Sequence, residues 1–160
     1  MRLHLPSPAA TDRLGAALAQ SRPPRAIVHL RGDLGAGKST LARALLRALG
    51  VTGAIRSPTY TLVERYPLPG GGDALHLDLY RIGDAGELEF LGLDPAEGAL
   101  WLVEWPERGA GALPPPDIEI ALAIDGAGRS FDATAGTPAG SDWLRRLAAD
   151  PDLRALPVAG

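Results

Sequence analysis

The stretch Arg31–Gly50, RGDLGAGKSTLARALLRALG, combines glycines, a lysine and a serine in a spacing that many unrelated proteins share. It fits G-x-x-x-x-G-K-[ST], whose fixed positions are Gly32, Gly37, Lys38 and Ser39. The apolar, β-branched run Ala26–Leu30 precedes it, and leucines spaced along one face of a helix follow it. A strand, a glycine-rich loop and a helix in this order predict an α/β fold that binds phosphate at the loop.

Each position of this loop has a chemical reason. Backbone N–H groups can wrap a β-phosphate only where Gly32, Gly35 and Gly37 allow unusual φ angles. The following helix directs its positive dipole end at the phosphates. Lys38 supplies charge to the β- and γ-phosphates, and Ser39 supplies a hydroxyl to Mg²⁺. The residues predicted to line the nucleotide site are Gly32, Asp33, Leu34, Gly35, Ala36, Gly37, Lys38, Ser39 and Thr40.

The bulk composition narrows the class of protein. The 160 residues suit one compact domain, and 46% of them are hydrophobic, which is typical of a globular protein. The net charge of -3 lacks the positive excess that is typical of nucleic-acid-binding domains. The absence of cysteine excludes disulfides and thiolate metal sites. No signal peptide or membrane-length apolar run is visible, so we expect a cytoplasmic protein without membrane contact.

The alternation of apolar and polar residues, together with capping and turn-forming residues, predicts the remaining helices and strands. One helix is expected to begin with Thr11 or Asp12 as its N-cap, and another with Ser141 as its N-cap. The predicted strands after the loop are Thr59–Pro67 and Ala74–Tyr80, which can form a hairpin, then Ala99–Trp105, Ile118–Asp125 and Ser130–Ala135.

Two carboxylates stand at the ends of apolar runs. Asp78 follows ALHL and Glu104 follows ALWLV. A phosphate-binding loop usually needs such an acid for Mg²⁺ at the carboxyl edge of a neighbouring strand. The longer apolar run makes the Glu104 strand the better central strand, whereas Asp78 could also be an ordinary exposed strand residue.

Other residues allow two interpretations each. Thr59, in SPTYTLVERY, lies where switch-type proteins carry a threonine that senses the γ-phosphate, but it also fits a plain strand. Trp105 and His76 are more typical of packing, and no second histidine is placed for zinc. The guanine-selecting pattern N-K-x-D is absent, which favours ATP over GTP.

Five segments together resemble the bacterial TsaE family (formerly YjeE), small ATPases of tRNA threonylcarbamoyladenosine biosynthesis. They are GDLGAGKST, SPTYTLV, HLDLYR, ELEFLGLD and VEWPER, and the resemblance spans about residues 3–135. It implies a single P-loop domain over 1–135 with a mixed, mostly parallel sheet flanked by helices. Residues 136–160 lie outside the resemblance, and their own pattern predicts a C-terminal extension with a short helix and a frayed tail. The resemblance also implies ATP and Mg²⁺ as cofactors, the TsaD and TsaB proteins as partners, and tRNA reached indirectly through that complex.

The resemblance also implies roles for individual residues. Ser39 takes a Mg²⁺ role where the family more often has threonine, and Glu104 looks like the acid associated with that ion. Asp78 looks like the catalytically important aspartate, and Trp105 like a tryptophan beside the nucleotide. Further positions that match are Thr59 in the switch-like loop, and Thr11 and Arg129 near the base.

Two other functions remain open at this point. A small-molecule kinase would need an arginine-rich lid, for which YRIGD and WLRRL are the only candidates. A regulatory nucleotide switch needs no acceptor site at all. No arginine stands out as a second catalytic cation, so we expect weak activity from the isolated protein and a partner that completes the site.

Overall fold

In residues 1–94 and 96–160, which a computed structural model describes, the chain forms one seven-stranded mixed sheet. The strand order is β1-β7-β6-β2-β5-β4-β3. The central pairings β6-β2, β2-β5 and β5-β4 are parallel, and the outer pairings are antiparallel. The strands are β1 Arg2–Leu5, β2 Ala26–Arg31, β3 Val63–Pro67, β4 Asp73–Asp78, β5 Leu100–Glu104, β6 Ile118–Asp125 and β7 Gly128–Ala135. The predicted α/β class with a mixed sheet, parallel in its core, is confirmed.

Helices cover both faces of this sheet. Side chains alternate between the faces along each strand, so Leu102 packs with one apolar cluster and Val103 with the other. Residues of α1, α2, α4 and α5 share the larger cluster, and α3 belongs to the smaller one. The helices are α1 Pro8–Ser21, α2 Lys38–Ala48, α3 Ala85–Glu89, α4 Pro138–Ala148 and α5 Pro151–Arg154, with a 3₁₀ helix at Pro106–Gly109. No helix of the described residues is long and apolar enough to cross a membrane.

Both predicted helix caps lie too far along the chain. Ser7, not Thr11 or Asp12, caps α1 by accepting the Ala10 N–H at 3.3 Å. Thr137, not Ser141, caps α4 by accepting the Gly140 N–H at 3.0 Å. In each case a proline occupies the first helical position after the cap, where its missing N–H costs nothing.

The largest differences from the predicted strands concern β3 and β1. The strand expected from Thr59 begins only at Val63, because the preceding residues form a turn in which the Leu62 N–H donates to the Pro58 carbonyl at 2.8 Å. The expected hairpin with β4 is present. Strand β1 was not predicted, since four residues carry too little periodicity. It pairs antiparallel with β7 at the edge of the sheet.

The end of the chain differs from the expected frayed tail. It forms the short helix α5, capped by Asp150, and buries Leu153 and Leu156 in the larger apolar cluster. The His4 N–H also donates to the Pro157 carbonyl at 2.8 Å, which ties the tail to β1.

The buried His29 on β2 is expected to make the free energy of unfolding sensitive to acid. Burial lowers the pKa of His29 below 6.5, and its Nε2 atom has no hydrogen-bond partner among the described residues. The unfolded chain therefore takes up a proton that the folded chain resists, so the free energy of unfolding should fall as the pH drops below 6.5. Urea unfolding at several pH values from 8 to 5 measures this. His29→Gln should flatten the dependence, whereas the control His4→Gln at the partly exposed edge should keep most of it; equal slopes in wild type and His29→Gln would contradict the prediction.

Candidate nucleotide-binding site

The glycine-rich loop joins β2 to α2 at the carboxyl edge of the parallel strands. Gly32, Gly35 and Gly37 have φ angles of 147°, 79° and 105°, which residues with a Cβ rarely adopt. At Gly32 a Cβ would also collide with the Leu122 carbonyl oxygen on β6. Gly37 is the N-cap of α2, so the free N–H groups of the helix begin at the loop.

Lys38 is the only lysine of the chain and is the first residue of α2, directly after the loop. Its side chain is buried, and Nζ donates to the carbonyls of Gly32 at 2.5 Å and Asp33 at 2.9 Å. The ammonium also lies 4.4 Å from the centre of the Trp105 ring. Burial lowers the pKa of Lys38, and the nearby carboxylates, Glu104 first, oppose that effect.

Glu104 meets the loop through Ser39. Strand β5 lies beside β2, so its carboxyl end is next to the loop, as predicted. Ser39 Oγ lies 2.9 Å and 3.0 Å from the two Glu104 carboxylate oxygens and donates to them. His76 Nε2 lies 2.6 Å from Glu104 Oε2, and both side chains are almost fully buried.

Asp78 lies next to Glu104 in the register of β4 and β5. Thr59 Oγ1 donates to Asp78 Oδ2 at 3.2 Å, and the Tyr80 N–H donates to Oδ1 at 3.0 Å. Ser57 Oγ is 2.8 Å from Thr59 Oγ1, so a chain of hydroxyls leads from the turn to this carboxylate. The two acids therefore have different surroundings: Glu104 contacts the loop, and Asp78 contacts the turn before β3.

Two adjoining clefts lie on either side of Gly37 and Thr40. One, of about 310 Å³, is bordered by the predicted residues Leu34, Gly35, Gly37, Lys38, Ser39, Thr40, Thr59, Asp78, Glu104, Trp105 and Arg129. The other, of about 210 Å³, is bordered by Thr11, Ala36, Gly37, Thr40 and Arg129. Arg129 borders both, and its guanidinium donates to the Gly35 carbonyl at 3.2 Å. Gly32 and Asp33 border neither cleft, and their carbonyls accept the Lys38 ammonium instead.

Sequence reasoning missed three side chains of this site. Tyr80 borders the larger cleft, and its ring centre is 5.0 Å from that of Trp105. The Arg108 guanidinium lies 5.3 Å from the centre of the Tyr80 ring. His76 was assigned to packing, yet it contacts Glu104. All three lie in the HLDLYR and VEWPER segments, so their nearness to Asp78 and Glu104 in sequence was the available signal.

Oxygen donors at the larger cleft fit a magnesium ion. Ser39 donates its hydrogen to Glu104, which leaves its oxygen lone pairs free to bind a cation. Mg²⁺ in nucleotide sites typically uses one or two such protein groups together with phosphate oxygens and waters. No group of three or more histidine or acidic side chains within the described ranges forms a metal cage by itself.

A parallel-cored sheet with the strand–loop–helix unit at its centre defines the class of α/β P-loop domains. Within that class, residues 5–131 match the family model described as "Threonylcarbamoyl adenosine biosynthesis protein TsaE". The chain therefore belongs to the TsaE family, as its motifs predicted.

Individual relatives agree with this assignment. The protein named "tRNA threonylcarbamoyladenosine biosynthesis protein TsaE" from Haemophilus influenzae is 42% identical over 120 residues, which cover 74% of this chain and 75% of that protein. The protein of the same name from Aquifex aeolicus is 44% identical over 116 residues, covering 71% and 80%. The crystal structure of Bacillus subtilis YdiB superposes with a TM-score of 0.75 over 93% of this chain and 94% of that one. At 24% identity this likeness shows the shared fold.

Proposed function

We propose that this protein binds ATP with Mg²⁺ and hydrolyses it, and that hydrolysis supports turnover of the TsaD–TsaB complex, which modifies adenosine 37 of tRNA to N6-threonylcarbamoyladenosine. The observation that carries the proposal is the Ser39–Glu104 hydrogen bond beside Lys38, with Asp78 across the same cleft. Membership of the TsaE family supports the place in tRNA modification. The chain would act in the cytoplasm and reach tRNA only through the complex.

In this proposal the loop and Lys38 hold the phosphates. Loop N–H groups and the ammonium stabilise the negative charge on the phosphoryl group as it is transferred. Ser39 and Glu104 would hold Mg²⁺, which would neutralise further charge on the phosphate oxygens. Thr11 and Arg129 border the smaller cleft, which suits the adenine, and Trp105 packs beside Lys38 at the phosphate end.

The surroundings of the two acids favour Asp78 as the group that orients the attacking water. Glu104 is held by Ser39 at the start of α2 and by the buried His76, beside the proposed Mg²⁺ position. Asp78 is instead connected to Thr59, on the turn that corresponds to the switch region of related folds. Asp78 already borders the cleft with Lys38 and Ser39, so its carboxylate can accept a hydrogen bond from a water beside the γ-phosphate.

Reconstituted tRNA modification tests the whole proposal. Purified TsaD and TsaB, the threonylcarbamoyl donor and a tRNA that reads codons beginning with A are incubated with and without this chain. We expect repeated turnover only with the chain and ATP. Equal multiple-turnover modification in its absence would overturn the role in the pathway.

Phosphate release from the isolated protein tests the partner dependence and the alternatives. We expect slow release of inorganic phosphate from ATP, without any added acceptor, and faster release with TsaD and TsaB. Hydrolysis by the chain alone at tens per second would contradict the dependence on partners. Phosphate transfer only to an added small molecule would instead indicate a kinase, and tighter binding of GTP than ATP would indicate a different nucleotide.

The lowered pKa of Lys38 predicts how ATP affinity depends on pH. In the free protein, burial favours the neutral amine, whereas bound phosphates favour the ammonium. Binding should therefore take up a proton at alkaline pH, and ATP affinity should fall as the pH rises through the lowered pKa of Lys38. Calorimetry above pH 8, in buffers of different ionisation enthalpy, measures the uptake. Arg43→Gln, an exposed change on the same helix, should keep the full uptake; no uptake in the wild type would contradict the prediction.

A further inference from the structure

We propose that His76 is a positioning residue, whose buried imidazole holds Glu104 in the orientation that presents Glu104 and Ser39 to Mg²⁺. This inference rests on the proposed Mg²⁺-dependent nucleotide binding. It concerns a side chain that borders neither cleft and so touches no substrate.

The strand register places His76 against the far side of Glu104. His76 and Asp78 share one face of β4, and Leu102 and Glu104 share the same face of β5, because side chains alternate along a strand. His76 pairs with Leu102, and Asp78 pairs with Glu104. The imidazole therefore approaches Glu104 from deeper in the sheet, on the side away from the cleft that Asp78, Glu104 and Ser39 border.

The contact between His76 and Glu104 is short and shielded from solvent. His76 Nε2 lies 2.6 Å from Glu104 Oε2, and the two side chains are 2% and 3% exposed. A carboxylate in such surroundings is costly unless hydrogen bonds satisfy it. Hydrogen bonds to an ionised acceptor are short and about twice as strong as neutral ones. His76 therefore supplies one of the donors that allow an ionised Glu104 at this depth.

The surroundings also assign the tautomer of His76. Its Nε2 faces a carboxylate oxygen and must carry the hydrogen, while its Nδ1 is buried with no partner among the described residues. A neutral ring with hydrogen on Nε2 leaves only a lone pair unsatisfied at Nδ1. Any other form would leave a buried N–H donor there without an acceptor.

The consequence is a carboxylate with restricted rotation. His76 holds Oε2 from inside the sheet, and Ser39 donates to both oxygens from the loop. The Ser39 hydrogen is thereby directed at Glu104 and its lone pairs away from it. Without the imidazole, the glutamate side chain can turn, and Lys38 is the nearby cation that would attract it. Removing a hydrogen-bond partner behind a metal-ligating carboxylate typically costs about 10- to 100-fold in metal affinity or activity.

The test separates metal binding from nucleotide binding. ADP affinity of the full chain is measured by calorimetry in EDTA and in Mg²⁺, for wild type, His76→Asn and His76→Gln. A glutamine amide can reach the position of the Nε2 donor, whereas an asparagine amide reaches only that of Nδ1. We expect His76→Asn to reduce the tightening by Mg²⁺ about tenfold, and His76→Gln to keep it within about threefold. ADP affinity in EDTA should change less than about twofold in either variant.

Several results would overturn the inference. Equal loss of ADP affinity in EDTA and in Mg²⁺ would show a structural role only, and full tightening by Mg²⁺ in His76→Asn would show no role. In a Glu104→Gln background, His76→Asn should have no further effect on the tightening, so an additive loss would also count against it. A wild type whose ADP affinity does not respond to Mg²⁺ would instead remove the proposed function, and this inference with it.

A measurement on the wild type avoids any folding defect of the variants. Nitrogen NMR of the imidazoles should show His76 with hydrogen on Nε2. Its Nε2 resonance should shift when Mg²⁺ is added to the ADP complex, because the metal withdraws charge from Glu104. A ring with hydrogen on Nδ1, or a resonance that does not respond to the metal, would contradict the proposal.

Discussion

Replacing Lys38 with alanine is expected to weaken ATP binding about 30- to 100-fold, the loss that accompanies removal of a charged hydrogen-bond donor. The rate of hydrolysis should fall by about a further 100-fold or more, because charge on the transferring phosphoryl group loses its nearest cation. Lys38 is the first residue of α2 and its ammonium donates to loop carbonyls, and no second lysine exists in the chain to replace it.

The control for this change is Arg43→Ala, which removes one positive charge from the exposed face of the same helix. It should leave ATP affinity and hydrolysis close to wild type. Fluorescent-nucleotide titration and phosphate release measure both quantities. Unchanged affinity in Lys38→Ala would place the phosphates away from the loop, whereas loss in both variants would indicate a general effect of charge.

Replacing Asp78 with asparagine is expected to lower the hydrolysis rate by about two to three orders of magnitude, the contribution typical of a positioned base or water-orienting group. ATP affinity should stay within a few-fold of wild type. Asparagine has the same shape and keeps an oxygen for the Tyr80 N–H, but it lacks the charge that orients water. Single-turnover hydrolysis with TsaD and TsaB present measures the effect.

Two variants sharpen that test. Asp73→Asn removes a carboxylate at the other end of β4 and should have no effect on hydrolysis. Thr59→Val removes the hydroxyl that donates to Asp78 and should give an intermediate loss in rate. If Asp78→Asn hydrolysed ATP normally while Glu104→Gln did not, the water would have to be assigned to Glu104 instead.

The parts of the fold that the sequence predicted well are those with strong local periodicity. The β2–loop–α2 unit and the apolar run of β5 lie close to the expected positions, because several consecutive residues carry each signal. The short β1 and the turn before β3 were missed. β1 is held by its pairing with β7, and the turn by a backbone hydrogen bond between Leu62 and Pro58, so propensity in a short window could not detect either.

In the candidate site, too, the sequence predicted the residues that lie within contiguous motifs and missed those that depend on distant contacts. The glycine pattern, the two acids and Thr59 were identified as residues, since each motif is contiguous. Their separate roles were left open, because Asp78 and Glu104 both follow apolar strands and differ only in what surrounds them. His76, Tyr80 and Arg108 were overlooked because their neighbours come from segments about 25 residues away.

By itself, the sequence determined that this chain is an α/β P-loop protein of the TsaE family. Short contiguous motifs in a fixed order along the chain identify that family, and they can be recognised without a structure. Tertiary structure alone decided that Ser39 and His76 meet on Glu104 and that Thr59 meets Asp78. The physical reason is the parallel pairing of β4 with β5 and of β5 with β2. Register between distant strands depends on how both faces of the sheet are buried. A one-residue shift of β4 would turn His76 and Asp78 to the opposite face, and a one-residue shift of β5 would turn Glu104.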